Sequence, residues 1–103
     1  MKYNKLVRDK IPTIIRKSGT ELTMHIASEQ EYEEALWSKL DEEVAEFKAA
    51  VCEEEVADVL EVLNTIVEFY GLNLYDVETA RQIKADSRGA FKERIILEEV
   101  FEK

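Results

Sequence analysis

Four carboxylates near the middle of the chain have the type and the spacing to hold a metal ion together. Glu43 and Glu46 form one pair, Glu55 and Asp58 form a second, and the members of each pair are three residues apart. On an α-helix this spacing puts two side chains on one surface, about 5–6 Å apart. The chain has one cysteine and one histidine, so the ligands would be carboxylate oxygens, which suit hard cations. The predicted ion is Mg²⁺, with Mn²⁺ as the alternative.

Two predicted helices carry these pairs. Ser28 with Glu31 three residues later is a capping-box pattern, and it opens a helix that runs to about residue 50. A second helix begins near Glu53 and ends at Gly71, the residue type that commonly follows a helix C-terminus. Because only a few residues join the two helices, they are predicted to form an antiparallel hairpin.

Both pairs fall on the apolar sides of these helices when residues are projected at about 100° each. The stripe of the first helix encloses Glu43 and has Glu46 at its edge, and its apolar members are Leu36, Leu40, Phe47 and Val51. The stripe of the second helix encloses Glu55 and is bordered by Asp58, and its apolar members are Val56, Val59, Leu60, Leu63, Ile66, Val67 and Tyr70. A buried carboxylate must be protonated, paired or bound to metal, because burying it alone is costly. Among 23 acidic residues such pairs also arise on solvated faces, but the inward register of Glu43 and Glu55 favours a metal site.

The first part of the chain is predicted to hold shorter elements. Residues 1–18 indicate an extended start and then a short helix, with Pro12 in its first turn. Residues 21–26 alternate weakly between apolar and polar types, so a short strand pair is left open.

The last part of the chain is predicted to add a third long helix. Asn73 with Asp76 three residues later indicates a helix start, and the helix runs to about Ser87. The tail from residue 91 onward fits either a strand or a helical turn. The predicted fold is therefore all-α, a single domain over residues 1–103 built on the antiparallel helical hairpin.

The charge of the chain is strongly negative but unevenly distributed. The formal net charge is −9, whereas residues 1–17 hold six basic residues and only one acidic residue. The overall charge argues against stable nucleic-acid binding, since that binding depends on neutralising phosphates. The basic start of the chain is either a solvated face or a cationic wall for a phosphate beside the acidic site.

Composition also bounds the location and the assembly of the chain. No apolar run approaches the roughly 18–20 residues that span a bilayer, and a single cysteine excludes an intramolecular disulfide. We therefore expect a cytoplasmic protein with no membrane partner. The long apolar stripes exceed what one hairpin can cover, so we expect a homo-oligomer, either a dimer or a tetramer.

Several stretches of the sequence resemble a known family. Residues 42–46 read E-E-V-A-E and residues 55–58 read E-V-A-D. These resemble the E-E-x-x-E and E-x-x-D signature of the MazG-like, all-α nucleoside triphosphate pyrophosphohydrolase superfamily. Residues 3–12, Y-N-K-L-V-R-D-K-I-P, and residues 84–91, K-A-D-S-R-G-A-F, are similar to a subgroup described as phosphoribosyl-ATP pyrophosphohydrolase-like.

The resemblance implies a fold, a metal site and a reaction. The fold would be a four-helix-type bundle, and Mg²⁺ would be held by Glu43, Glu46, Glu55 and Asp58. The reaction would be hydrolysis of a nucleotide between its α and β phosphates, giving a monophosphate and pyrophosphate. The connection between Glu46 and Glu55 is shorter than in many superfamily members, which leaves the substrate open.

Other residues are candidates for supporting roles. Glu43 is assigned a catalytic role besides metal binding, and Glu42, which projects away from the stripe, is either a catalytic base or helper or a plain surface glutamate. The candidates for phosphate binding are basic, and they are Lys84, Arg88, Arg81, Lys5 and Arg8. The first three share one helix face and would clamp the β and γ phosphates. The alternative is an ordinary cationic helix end that complements the helix dipole.

Two other functions remain open at this point. The first is hydrolysis of phosphoribosyl-ATP specifically, on the same fold. The second is a non-catalytic helical module that senses a nucleotide or mediates dimerisation and keeps the acidic site without turnover.

Overall fold

The computed structural model describes residues 4–101, and within that range the chain is all-α, with four helices and no strand. The helices are α1 (Ile11–Lys17), α2 (Glu29–Ala49), α3 (Glu53–Phe69) and α4 (Leu74–Arg88). The prediction of an all-α fold is confirmed. The chain divides into two compact units, one ending at Gly71 and the other beginning at Leu72.

The ends of the helices follow from local hydrogen bonding. The Ser28 hydroxyl accepts a hydrogen bond from the Glu31 backbone N–H at 3.2 Å, as the capping-box pattern predicts. The Asn73 side chain likewise accepts hydrogen bonds from two backbone N–H groups at the start of α4, at 2.7 and 3.2 Å. Gly71 follows α3 with a φ of +70°, a left-handed conformation that glycine adopts without steric cost. Pro12 lies in the first turn of α1.

Two short elements differ from the prediction. The strand pair that the sequence left open at residues 21–26 does not form, because this segment has no regular structure and residues 4–101 contain no strand with which it could pair. Instead, the His25 ring nitrogen Nε2 lies 2.9 and 3.0 Å from the carboxylate oxygens of Glu31. The tail forms neither a strand nor a helix over residues 94–101. The parts of these predictions that concern residues 1–3 and 102–103 lie outside the described residues.

Helices α2 and α3 pack against each other and form the predicted hairpin. A connection of three residues, 50–52, reverses the chain, so α2 and α3 run antiparallel. Far from the turn, Tyr32 packs edge-on against Phe69 with ring centroids 5.5 Å apart, and Trp37 Nε1 donates a hydrogen bond to the Tyr70 hydroxyl at 2.8 Å. Near the turn, the carboxylates of α2 and α3 face each other.

The core of the hairpin is small. Its buried residues are Leu36, Ile66, Val67 and, unusually for a charged residue, Glu43. Val51, which was predicted to belong to the first stripe, is 79% exposed because it lies in the connection beyond the end of α2. On α3, Leu60 and Leu63 are 50% and 43% exposed. The hairpin therefore leaves part of the apolar stripe of α3 exposed.

None of the helices within residues 4–101 is long and apolar enough to cross a membrane.

Candidate metal site

Three of the four predicted ligands come together at the turn end of the hairpin. Glu43, Glu55 and Asp58 each offer a carboxylate oxygen, and these oxygens all lie within 4.8 Å of one another. Glu43 is contributed by the C-terminal half of α2, and the other two by the first turns of α3. The antiparallel packing explains the meeting, because the end of α2 and the start of α3 are adjacent in space.

Two oxygens of this cluster are buried without a partner. Glu43 is only 6% exposed, and within residues 4–101 its Oε2 and the Oε2 of Glu55 find no hydrogen-bond donor. An unpartnered buried carboxylate oxygen costs free energy, because water is lost and nothing replaces it. A bound cation would satisfy both oxygens at once. All donors of the cluster are carboxylate oxygens, and this donor set fits Mg²⁺ or Mn²⁺.

Lys39 holds the other oxygen of Glu43. Its Nζ lies 3.2 Å from Glu43 Oε1 and 3.5 Å from Glu42 Oε1. Burial works to lower the pKa of Lys39, but the hydrogen bond to Glu43 and the charges of Glu42 and Glu43 outweigh it, so its pKa is raised above the ordinary value. Lys39 was not among the predicted site residues. Its position one helical turn before Glu43 on the same face was the signal that could have found it.

The basic start of the chain also contacts this acidic region. Arg8 Nη2 donates a hydrogen bond to Asp58 Oδ1 at 2.7 Å, and its Nη1 lies 3.8 Å from Glu61 Oε1. Lys5 Nζ lies 3.5 Å from Glu42 Oε1. Of the two phosphate-binding candidates in this segment, Arg8 is thus paired with a carboxylate of the cluster, and Lys5 is paired with Glu42, next to Glu43 in sequence. Arg8 and Asp58 are 50 residues apart, so no spacing in the sequence could have indicated this contact.

The fourth predicted ligand, Glu46, lies at the margin. It is exposed and is not part of the group of three carboxylates. The negative charge of Glu43 raises the pKa of Glu46, and partial desolvation and the charges of Glu42 and Glu55 act in the same direction. The carboxylates are therefore crowded enough to repel one another. Glu42 lies outside the group as well, and the Nζ atoms of Lys5 and Lys39 each lie 3.5 Å from its Oε1.

The phosphate-binding candidates on α4 belong to the second compact unit. Arg81 Nε donates to both carboxylate oxygens of Glu78, at 3.0 and 2.9 Å. This hydrogen bond lowers the pKa of Glu78 and raises that of Arg81. Lys84 and Arg88 are exposed, one helical turn apart.

Comparison with known proteins gives a partial match to one curated protein and no matching family model. No family model matches the chain, and no solved structure matches it. Over 45 residues the chain is 56% identical to an uncharacterized protein of Mycolicibacterium smegmatis (strain ATCC 700084 / mc(2)155). The match covers 44% of this chain and 46% of that protein, so the chain spans about half the length of the relative that it matches.

Proposed function

We propose that the chain binds Mg²⁺ through Glu43, Glu55 and Asp58, with Glu46 as an additional ligand, and hydrolyses a nucleoside triphosphate between its α and β phosphates. The products would be a nucleoside monophosphate and pyrophosphate. The observation that carries this proposal is the buried side chain of Glu43: its Oε2 has no donor among residues 4–101, and the residue belongs to a cluster of carboxylates from two helices. The sequence resemblance to MazG-like pyrophosphohydrolases supports the reaction.

The residues of the hairpin suit this reaction for a physical reason. Phosphoryl chemistry depends mainly on positioning and on stabilising negative charge. When bound, the cation supplies positive charge to the phosphates and makes a nearby water more acidic. Mg²⁺ prefers octahedral coordination, so three or four carboxylates that each give one oxygen would leave positions for water and for the phosphates of a nucleotide.

Neighbouring side chains provide the remaining roles in the proposal. Arg8 and Lys5 lie where a phosphate bound at the cluster could replace the carboxylates as their partners, which would add charge-assisted hydrogen bonds to the substrate. Glu42 lies next to the ligand Glu43 and is assigned as the group that accepts a proton from the attacking water. Lys84, Arg88 and Arg81 are proposed as further phosphate-binding residues.

The assembly and the location are part of the same proposal. The exposed apolar face of α3 is continuous along the helix at Val56, Leu60 and Leu63, and a second copy of the chain would cover it. A cytoplasmic location agrees with the lone, exposed Cys52, because free thiols persist in reducing compartments.

The purified protein should be tested with Mg²⁺ against a panel of nucleoside triphosphates that includes phosphoribosyl-ATP. The proposal expects equal amounts of monophosphate and pyrophosphate, and no turnover in EDTA. If phosphoribosyl-ATP is the only compound hydrolysed, the protein is a phosphoribosyl-ATP pyrophosphohydrolase instead. Nucleotide binding without any product would indicate a sensing module, and release of orthophosphate from the γ position would contradict the proposed bond cleavage.

A further inference from the structure

The ammonium group of Lys39 is fixed beside the most buried carboxylate of the chain's described part. Its side chain is 20% exposed, and its Nζ lies 3.2 Å from Glu43 Oε1. Most lysine side chains are exposed, whereas this one is partly buried and its ammonium group is paired with carboxylates. The second contact of the same nitrogen, to Glu42 at 3.5 Å, holds it on the acidic face of α2.

The two oxygens of Glu43 have different surroundings. Oε1 faces Lys39, whereas Oε2 is buried and has no donor within residues 4–101. A carboxylate can rotate about its terminal torsion, which is broad and only weakly restricted. Fixing one oxygen therefore fixes the direction of the other. Residues that hold metal ligands in this way commonly tune metal affinity without contacting the ion.

We propose that Lys39 is a positioning residue for metal binding: it holds Glu43 Oε1 so that Glu43 Oε2 stays directed into the cluster with Glu55 and Asp58. This inference rests on the proposed metal site. It adds Lys39, which is not one of the carboxylates whose spacing predicted that site.

Electrostatics and positioning give opposite expectations for the loss of this lysine. A positive charge beside a cation site repels the cation, so charge alone predicts that Lys39→Met binds the metal more tightly. Positioning predicts weaker binding, because Glu43 loses the partner that orients it. The sign of the change in affinity therefore decides between the two effects.

The experiment is a titration with Mn²⁺ alone, in which electron paramagnetic resonance measures the free ion. Lys39→Met should weaken Mn²⁺ binding by about tenfold or more, and Lys39→Arg, which keeps a charged donor, should restore most of the affinity. Lys48→Met is the matched control, because Lys48 is an exposed lysine near the end of the same helix and its loss changes the net charge equally. Lys39→Met that binds Mn²⁺ as tightly as the wild type, or more tightly, would overturn the proposal.

Helix content and thermal unfolding in EDTA establish that each variant is folded. If Lys39→Met does not fold, Lys39→Gln takes its place under the same criterion. Its side chain is shorter and uncharged, so this variant should also bind Mn²⁺ more weakly than the wild type. Wild-type protein that binds no Mn²⁺ would overturn both the metal site and the role of Lys39. A third outcome separates the two proposals. If Lys39→Met binds Mn²⁺ more weakly but the wild-type protein hydrolyses no nucleotide, the positioning role is supported and only the proposed hydrolysis is overturned.

Discussion

The α2–α3 hairpin and helix α4 are both rich in charged side chains, but the two regions arrange them differently. In the hairpin, carboxylates from two helices meet at the turn end and Glu43 is buried there. On α4, charged and polar groups pair along the helix, as between Arg81 and Glu78 or Gln82 and Asp86. No residue of Leu74–Arg88 is buried. Charged residues at helical spacing are common. The hairpin differs from α4 because, in the hairpin, a second helix packs against such residues and excludes water from them.

The same contrast separates the two members of one pair. Glu43 and Glu46 are one turn apart on α2, yet only Glu43 is buried against α3, while Glu46 is exposed. Lys84 and Arg88 on α4 are likewise one turn apart and both exposed. We therefore expect substitutions in the buried cluster to have larger effects than substitutions of equal charge elsewhere.

The largest effect is expected from neutralising the buried ligands. Glu43→Gln and Glu55→Gln keep the side-chain shape but remove the charge that binds the metal. A catalytic metal lowers the activation barrier by several kcal/mol. Without it, the rate of pyrophosphate release should fall by about a thousandfold. Glu54→Gln is the matched control, because Glu54 is adjacent to Glu55 in sequence but exposed, and it should keep nearly full activity. An equal loss in Glu54→Gln and Glu55→Gln would mean that the acidic segment acts only as diffuse charge.

A second substitution tests whether the apolar face of the hairpin is an interface. Leu60→Glu places a charge on the exposed apolar face of α3 and should convert an oligomer into a monomer of 12.0 kDa, because burying an unpaired carboxylate is costly. Ile83→Glu on α4 is the control, since Ile83 is also exposed and lies outside the hairpin. Light scattering measures the mass. A wild-type protein that is already monomeric at micromolar concentration would refute the oligomer.

The third expected effect is on stability. The crowded carboxylates of the hairpin repel one another without a cation, and a ligand that binds only the folded state stabilises it by about 2.7 kcal/mol at a hundredfold excess over its Kd. Mg²⁺ should therefore raise the Tm of the wild type by on the order of 10 °C over its value in EDTA. Glu43→Gln should lose most of this response. Identical Tm values for the wild type in Mg²⁺ and EDTA, at one protein concentration, would exclude the metal site.

The sequence was sufficient for features that depend on neighbours along the chain. The caps at Ser28 and Asn73 and the end of α3 at Gly71 need only local hydrogen bonds and local backbone conformation, so a few residues encode them. Helical periodicity placed Glu43 and Glu55 on facing stripes, and the structure brings their oxygens together.

Local sequence patterns could not predict contacts between segments that are distant along the chain. The pairing of Arg8 with Asp58 depends on the path of the chain before α1, which periodicity does not describe. The exposure of Val51 follows from the short connection after α2, where the helical projection no longer applies. The apparent strand over residues 21–26 shows the same limitation, because a strand needs a partner that its own sequence cannot specify.

The smallest effect is expected on α4, and it tests whether the cations of that helix bind substrate phosphates. Lys84 and Arg88 are exposed, so they can reach a new anion without breaking a buried contact, whereas Arg81 already has Glu78 as its partner. Lys84→Gln or Arg88→Gln should raise the KM for the triphosphate by about tenfold, the equivalent of one charge-assisted hydrogen bond. The value of kcat should change little, because these contacts hold substrate and transition state alike. Arg81→Gln should stay within about twofold, since the gain of a phosphate contact is offset by loss of the Glu78 pair. Lys92→Gln, an exposed lysine after α4, controls for net charge. If its KM rises as much as that of Lys84→Gln, α4 contributes only a general field, and the hairpin with Arg8 and Lys5 must bind the phosphates alone.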